Sequence, residues 1–119
     1  MSKATKRKLS GSTDGKAIKV TGTDTAGAVT VHTAVSGTTP GTFDEVWIYA
    51  YNGHSAAVVV TIEWGAADAW NVVKVSVPNQ SGLVPIIPGF LLQNGTVVEA
   101  FAATADVIGI HGFVNSITD

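Results

Sequence analysis

The sequence predicts an all-β protein, a two-layer antiparallel β-sandwich of about eight strands with jelly-roll or immunoglobulin-like topology. Short segments rich in Val, Ile, Thr and Tyr alternate with clusters of Gly, Pro, Asn and Asp through residues 15–119. Within those segments apolar residues return at every second position, the period of a strand with one covered face. No stretch combines helical spacing with capping signals over the roughly ten residues a helix needs. At 119 residues the chain has the length of one domain with one core.

Residues 1–14 carry no apolar periodicity and are rich in Ser, Thr, Gly and Lys, so they read as a flexible basic arm preceding a sandwich domain over 15–119. The first strand is expected at Lys16–Thr21. The second is expected at Val29–Val35, with Val29, Val31, Thr33 and Val35 on one face. In Glu45–Asn52, Val46, Ile48 and Ala50 point one way while Trp47, Tyr49 and Tyr51 point the other. Asn52-Gly53 is a favoured hairpin dipeptide, so this strand is expected to pair with Ala57–Trp64, where Val58, Val60, Ile62 and Trp64 oppose Val59, Thr61 and Glu63. Asn71–Val77 turns Val73, Val75 and Val77 inward. Leu83–Ile87 contains Pro85, which cannot donate a ladder hydrogen bond, and so belongs at an edge or is irregular. After the Pro88-Gly89 turn and Phe90-Leu91-Leu92, strands are expected at Thr96–Ala103 and Val107–Val114.

Apolar residues make up 45% of the chain and charged residues only 13%, so few charges keep an isolated surface soluble and some apolar surface is expected to be covered by a partner. The charge is also uneven. Lys3, Lys6, Arg7, Lys8, Lys16 and Lys19 lie in the first nineteen positions, whereas residues 20–119 hold one base, Lys74, against eight acids, a net of −7. The basic arm suits an acidic protein surface, and removing residues 2–13 is expected to weaken docking. The acidic body repels phosphates, which argues against nucleic acid as the main partner. No apolar run approaches the ~20 residues of a membrane span, and the basic start lacks the apolar stretch of a secretion signal, so a protein made in a cytoplasm and independent of membranes is expected.

The chemistry-bearing residues form no recognisable catalytic pattern. There is no Cys, which removes disulfides, thiolate metal sites and Cys nucleophiles. His32, His54 and His111 stand at no local metal-ligand spacing, and no Ser lies in a nucleophile elbow. Asp44-Glu45 reads as the end of a loop rather than an acid/base pair. Neither an enzyme, a metal site nor a cofactor is expected. Trp47, Tyr49 and Tyr51 are expected to fill a core or a subunit interface rather than a sugar-binding face. Trp64 and Trp70 flank a loop as candidate interface anchors.

The run Phe43-Asp44-Glu45-Val46-Trp47-Ile48-Tyr49-Ala50-Tyr51-Asn52-Gly53-His54, with Thr61-Ile62-Glu63-Trp64-Gly65, Pro78-Asn79-Gln80-Ser81-Gly82-Leu83, Pro88-Gly89 and Ile110-His111-Gly112-Phe113-Val114-Asn115, resembles small virion proteins of tailed bacteriophages of the capsid decoration or cement type. The resemblance spans about residues 15–115 and carries no catalytic motif. It implies a β-sandwich subunit, often a homotrimer, that binds the major capsid protein or other virion proteins and stabilises the head. Lys3, Lys6, Arg7, Lys8, Trp47, Tyr49, Tyr51, Trp64 and Trp70 are the candidate partner contacts. Related folds occur in tail and neck components, and a carbohydrate-binding sandwich adhesin is the alternative reading.

Overall fold

The computed structural model describes residues 2–119. Nine strands form two antiparallel sheets: β1 (Lys3–Lys8), β2 (Ile18–Lys19), β3 (Val29–Thr33), β4 (Phe43–Asn52), β5 (Val58–Trp64), β6 (Val72–Val77), β7 (Val84–Leu92), β8 (Val97–Ala102) and β9 (Ile108–Thr118). One sheet runs β1-β9-β4-β7, with β2 also pairing β9; the other runs β3-β8-β5-β6. The pairs β2·β9, β3·β8, β4·β7 and β5·β6 are nested one inside the next. The chain is thus one long hairpin with its tip between β5 and β6, rolled into two layers, which is the jelly-roll solution of the expected sandwich.

Period-two patterning builds the core between the layers. Val46, Ile48, Ala50, Ile108, Ile110 and Val114 of the first sheet meet Val58, Val60, Ile62, Val98 and Ala100 of the second, all at most 2% exposed. The alternation expected for β4 holds residue by residue, and β6 keeps Lys74 and Ser76 outward, but in β5 Thr61 and Glu63 are buried on the face opposite Val60 and Ile62. Pro85 and Pro88 place β7 at the sheet edge, and its register slips twice against β4, between Val46 and Trp47 and between Ile48 and Tyr49. The strand nevertheless runs unbroken from Val84 to Leu92, without the expected break at Pro88-Gly89.

Four expectations fail for physical reasons. Residues 1–14 were expected as a flexible arm, but Lys3–Lys8 is an edge strand paired with β9 from Lys3↔Thr118 to Lys8↔Phe113. Every side chain of β1 is exposed, so its place comes from backbone hydrogen bonds and carries no hydrophobic signature. Leu9, 1% exposed, anchors its end in the core, and removing residues 2–13 would therefore take out part of the fold rather than a tether. The expected first strand shrinks to Ile18–Lys19, although Val20 remains in the core.

The expected hairpin between β4 and β5 does not form, because the two strands lie in different sheets. Neither Asn52 nor Gly53 takes the positive φ of a primed turn. Instead Asn52 is fully buried and joins three chain segments. Its Nδ2 donates to the Ala56 carbonyl (2.9 Å) and the Val77 carbonyl (2.9 Å), while its Oδ1 accepts from the His54 N–H (2.8 Å). In β3 a bulge between Thr30 and His32 breaks the expected alternation, so Val31 and His32 are both buried.

Asn52→Ala should leave one buried donor and two acceptors without their partner and cost about 2–3 kcal/mol. Urea unfolding of the variant beside the native chain measures this, and a loss under about 1 kcal/mol would mean that water replaces the amide.

Candidate protein-interaction surface

The outer face of the five-stranded sheet is where most of the chain's aromatic side chains meet. Register sets Trp47 opposite Phe113, Tyr49 opposite His111, Glu45 opposite Asn115 and Phe43 opposite Ile117 on adjacent β4 and β9. Trp47 and Phe113 stack with ring centroids 5.9 Å apart and planes 12° from parallel. Lys6 Nζ lies 4.4 Å above the Phe113 ring from the other side of β9. The indole also lies close over Gly89, where a Cβ would come within 2.7 Å of Trp47 Cζ2. A platform therefore runs from β1 across β9 and β4 to β7.

Glu45 fixes this platform. Its Oε1 accepts from Trp47 Nε1 at 2.8 Å and from Asn115 Nδ2 at 3.0 Å. These donors, Asn115 before Trp47, hold the Glu45 carboxyl below the ordinary glutamate value against a lesser opposing push from burial. Beside the platform the edge strand β7 presents Phe90 (57% exposed) and Leu91 (53%), with Leu83 (52%) just before it. Register puts Leu91 opposite Glu45 on the platform side and Phe90 opposite Val46 on the other, and each of the three is only about half covered by the chain itself.

The predicted contact residues divide between separate places. Trp47, Tyr49 and Tyr51 share one half-buried outward face, which corrects the expectation that they could fill the core. Lys3, Lys6, Arg7 and Lys8 lie on exposed β1 at one edge of the same sheet, so Lys6 is brought to the aromatic platform. Trp64 is partly buried and packs against the core. Trp70 stands 84% exposed in the β5–β6 loop, far along the chain path from the platform. Phe113, Phe90, Leu91 and Leu83 were missed as contacts. The period of the expected strand Val107–Val114 already puts Phe113 on the face opposite Val114, whereas the exposure of Phe90 and Leu91 follows from the edge position of β7, which no local pattern gives.

A second constellation lies at the open edge between the layers. His32 Nε2 and Asp44 Oδ2 are 2.7 Å apart, with both side chains about 5% exposed. The Ser10 N–H donates to His32 Nδ1 (3.0 Å) and the Val35 N–H to Asp44 Oδ2 (3.1 Å). Nδ1 as an acceptor leaves Nε2 to donate to Asp44, so both ring nitrogens are engaged. Ser10 Oγ accepts from the Thr33 N–H (2.7 Å). Asp44, expected at a loop end, is thus a buried strand residue tying β4 to β3 and to the end of β1. Among the described residues no three His, Cys, Asp or Glu side chains converge as metal ligands.

A carboxyl held below its ordinary value stabilises the fold above that value and loses this contribution as pH falls through the folded value. Glu45→Gln should accordingly lower Tm at neutral pH, with the gap closing in acid where Glu45 is protonated in both states. Paired melts across pH test it, and a constant gap contradicts it. Gly89→Ala should push the indole off its seat and, with φ at +82° there, cost about 1–2 kcal/mol; Trp fluorescence and thermal melts report both effects.

Comparison with protein-family models, with curated proteins and with solved structures finds no match to this chain.

Proposed function

We propose that this chain is a non-enzymatic structural subunit of a bacteriophage virion, a capsid decoration or cement protein that assembles as a homotrimer on the major capsid protein lattice. The observation that carries this reading is the outward face on which Trp47 and Phe113 stack, with Leu91 more than half exposed on the same side of the edge strand β7. An aromatic face left open to solvent on a charge-poor chain suits a surface that another protein covers. The resemblance of Phe43–His54 and the later motifs to virion proteins supplies the kind of partner. A jelly roll suits the reading as fold-level analogy, since viral capsid domains use it among many others. A lattice of repeated sites lets each copy bind through a modest patch, because trimerisation raises the effective concentration of the remaining contacts.

The tail or neck position and the carbohydrate-binding adhesin remain as second readings, the latter favoured by the open Trp47, Tyr49 and Tyr51 face. Co-sedimentation of the purified chain with phage heads lacking it tests the main reading. Saturable binding is expected, weakened at least tenfold by Phe90→Ser with Leu91→Ser while the melt of the free chain barely moves. Binding to isolated tails and not heads would move the subunit to the tail. Glycan binding lost on Trp47→Ala, without head binding, would replace the reading with the adhesin.

A further inference from the structure

On the outer face of the four-stranded sheet, polar side chains lie under cover. Thr61 and Glu63 of β5 point away from the core, yet each is only 3% exposed. Register sets them in a grid with their neighbours, Val72, Glu63 and Glu99 in one row and Lys74, Thr61 and Phe101 in the next. Two loops overhang this grid. One brings Thr25, whose Oγ1 donates to Glu63 Oε2 at 2.8 Å. The other, between β5 and β6, brings Ala67 and Ala69, and together they bound a cavity of about 500 Å³ floored by Thr61, Glu63, Lys74, Val72 and Phe101. Glu99 lines a separate cavity of about 120 Å³.

The wall carrying Thr25 is firmly built. The Gly27 N–H donates to Asp24 Oδ1 (2.9 Å), and the Ala102 N–H of β8 donates to the Gly22 carbonyl (3.2 Å). A Cβ on Gly22 would run into the Gly27 carbonyl oxygen, so only glycine lets the loop close on itself. A pre-formed hollow of this volume, with a few convergent polar groups beside an apolar wall, is the usual form of a small-molecule site.

The lining selects the ligand. Thr25 meets one of the roughly four positions at which a carboxylate accepts, and burial makes it costly to leave the others without donors. A cation entering beside Glu63 would be repelled by Lys74 in the same cavity. Lys74 is itself exposed, so an anion or zwitterion would gain little from pairing with it. A neutral ligand rich in hydroxyls avoids both penalties, because each hydroxyl donates to Glu63 or accepts from Lys74 and matches the hydroxyls of Thr25 and Thr61. Phe101 and Val72 suit an apolar C–H face on the same ligand. Trp70, next to Ala69 in the overhanging loop and 84% exposed, offers a further flat apolar face.

We propose that this cavity binds a neutral pyranose sugar, with Glu63 and Lys74 bonded to its hydroxyls and Phe101 against its C–H face. The inference does not rest on the virion reading, and its site lies on the opposite sheet from the Trp47–Phe113 platform.

NMR titration of the isotope-labelled chain with glucose, galactose, mannose and N-acetylglucosamine, and with their methyl glycosides, tests it. At least one sugar should shift the amides of Thr61, Glu63 and Lys74 saturably. A methyl glycoside that binds as the free sugar does identifies a unit of a glycan chain, and one that is refused identifies a free sugar; either supports the site. Glu63→Gln keeps the shape and an acceptor for Thr25 and should weaken binding at least about tenfold. Lys74→Ala, at an exposed position that spares the fold, should weaken it less, and Trp47→Ala should leave it unchanged. The absence of saturable shifts with every sugar, or binding that survives both cavity substitutions, would overturn the proposal. So would binding lost on Trp47→Ala, or binding of glycine or putrescine in place of the sugars.

Discussion

The β4–β9 ladder is the interaction on which the rest of this structure depends. It runs unbroken through ten residue pairs, from Phe43↔Ile117 to Asn52↔Ile108. On its inner side it supplies Val46, Ile48, Ala50, Ile110 and Val114 to the core, and on its outer side it lays Trp47 against Phe113. The fit at its centre is close. A Cβ on Gly112 would come within 2.0 Å of the Trp47 carbonyl oxygen, so only glycine allows the two backbones to meet there. Core, platform and the positions of both edge strands follow from this one pairing, because β1 and β2 hang from β9 and β7 hangs from β4.

Much of the fold was legible because burial leaves a local trace. Val46-Trp47-Ile48-Tyr49-Ala50 states which side faces the core, and β5 and β6 do the same. The layer assignment was not legible, since period two says which way a side chain points but not which strand lies beside it. Asn52-Gly53 shows the limit: its turn propensity is real, but the buried amide of Asn52 satisfies three backbone groups of the crossing between layers, and that outweighs a hairpin whose strands belong in different sheets. β1 shows the opposite failure, a strand made by backbone pairing alone. Its lysines read as signs of a solvated arm, yet charged side chains are also what protects a free sheet edge from unwanted pairing.

The candidate surface was half legible for a related reason. Trp47, Tyr49 and Tyr51 share a face in any strand, but whether that face meets a core, water or a partner depends on which layer is stacked against it. His32 and Asp44 lie twelve positions apart and meet only because a bulge turns His32 inward beside β4. Once there, the pair is a joint between β3, β4 and the segment that leads from β1 through Ser10, with both ring nitrogens of His32 and one oxygen of Asp44 engaged. Its chemistry is spent on holding the open edge of the sandwich together.

The nesting of the strand pairs bears on how the chain comes to be folded at all. β5 and β6 are neighbours in sequence and pair locally, but each outer pair closes a longer loop, up to the ladder joining Lys3 to Thr118. Such contacts lose loop entropy before they repay it, and proteins dominated by them fold slowly. During synthesis the five-stranded sheet lacks its middle member until β9 leaves the ribosome, so β1, β2 and β4 spend that interval with unpaired edges and an uncovered Val46-Ile48-Ala50 face. The scarcity of charge leaves this nascent state with little protection, and the charged side chains of β1 are among the few features of the chain that oppose pairing with a neighbour.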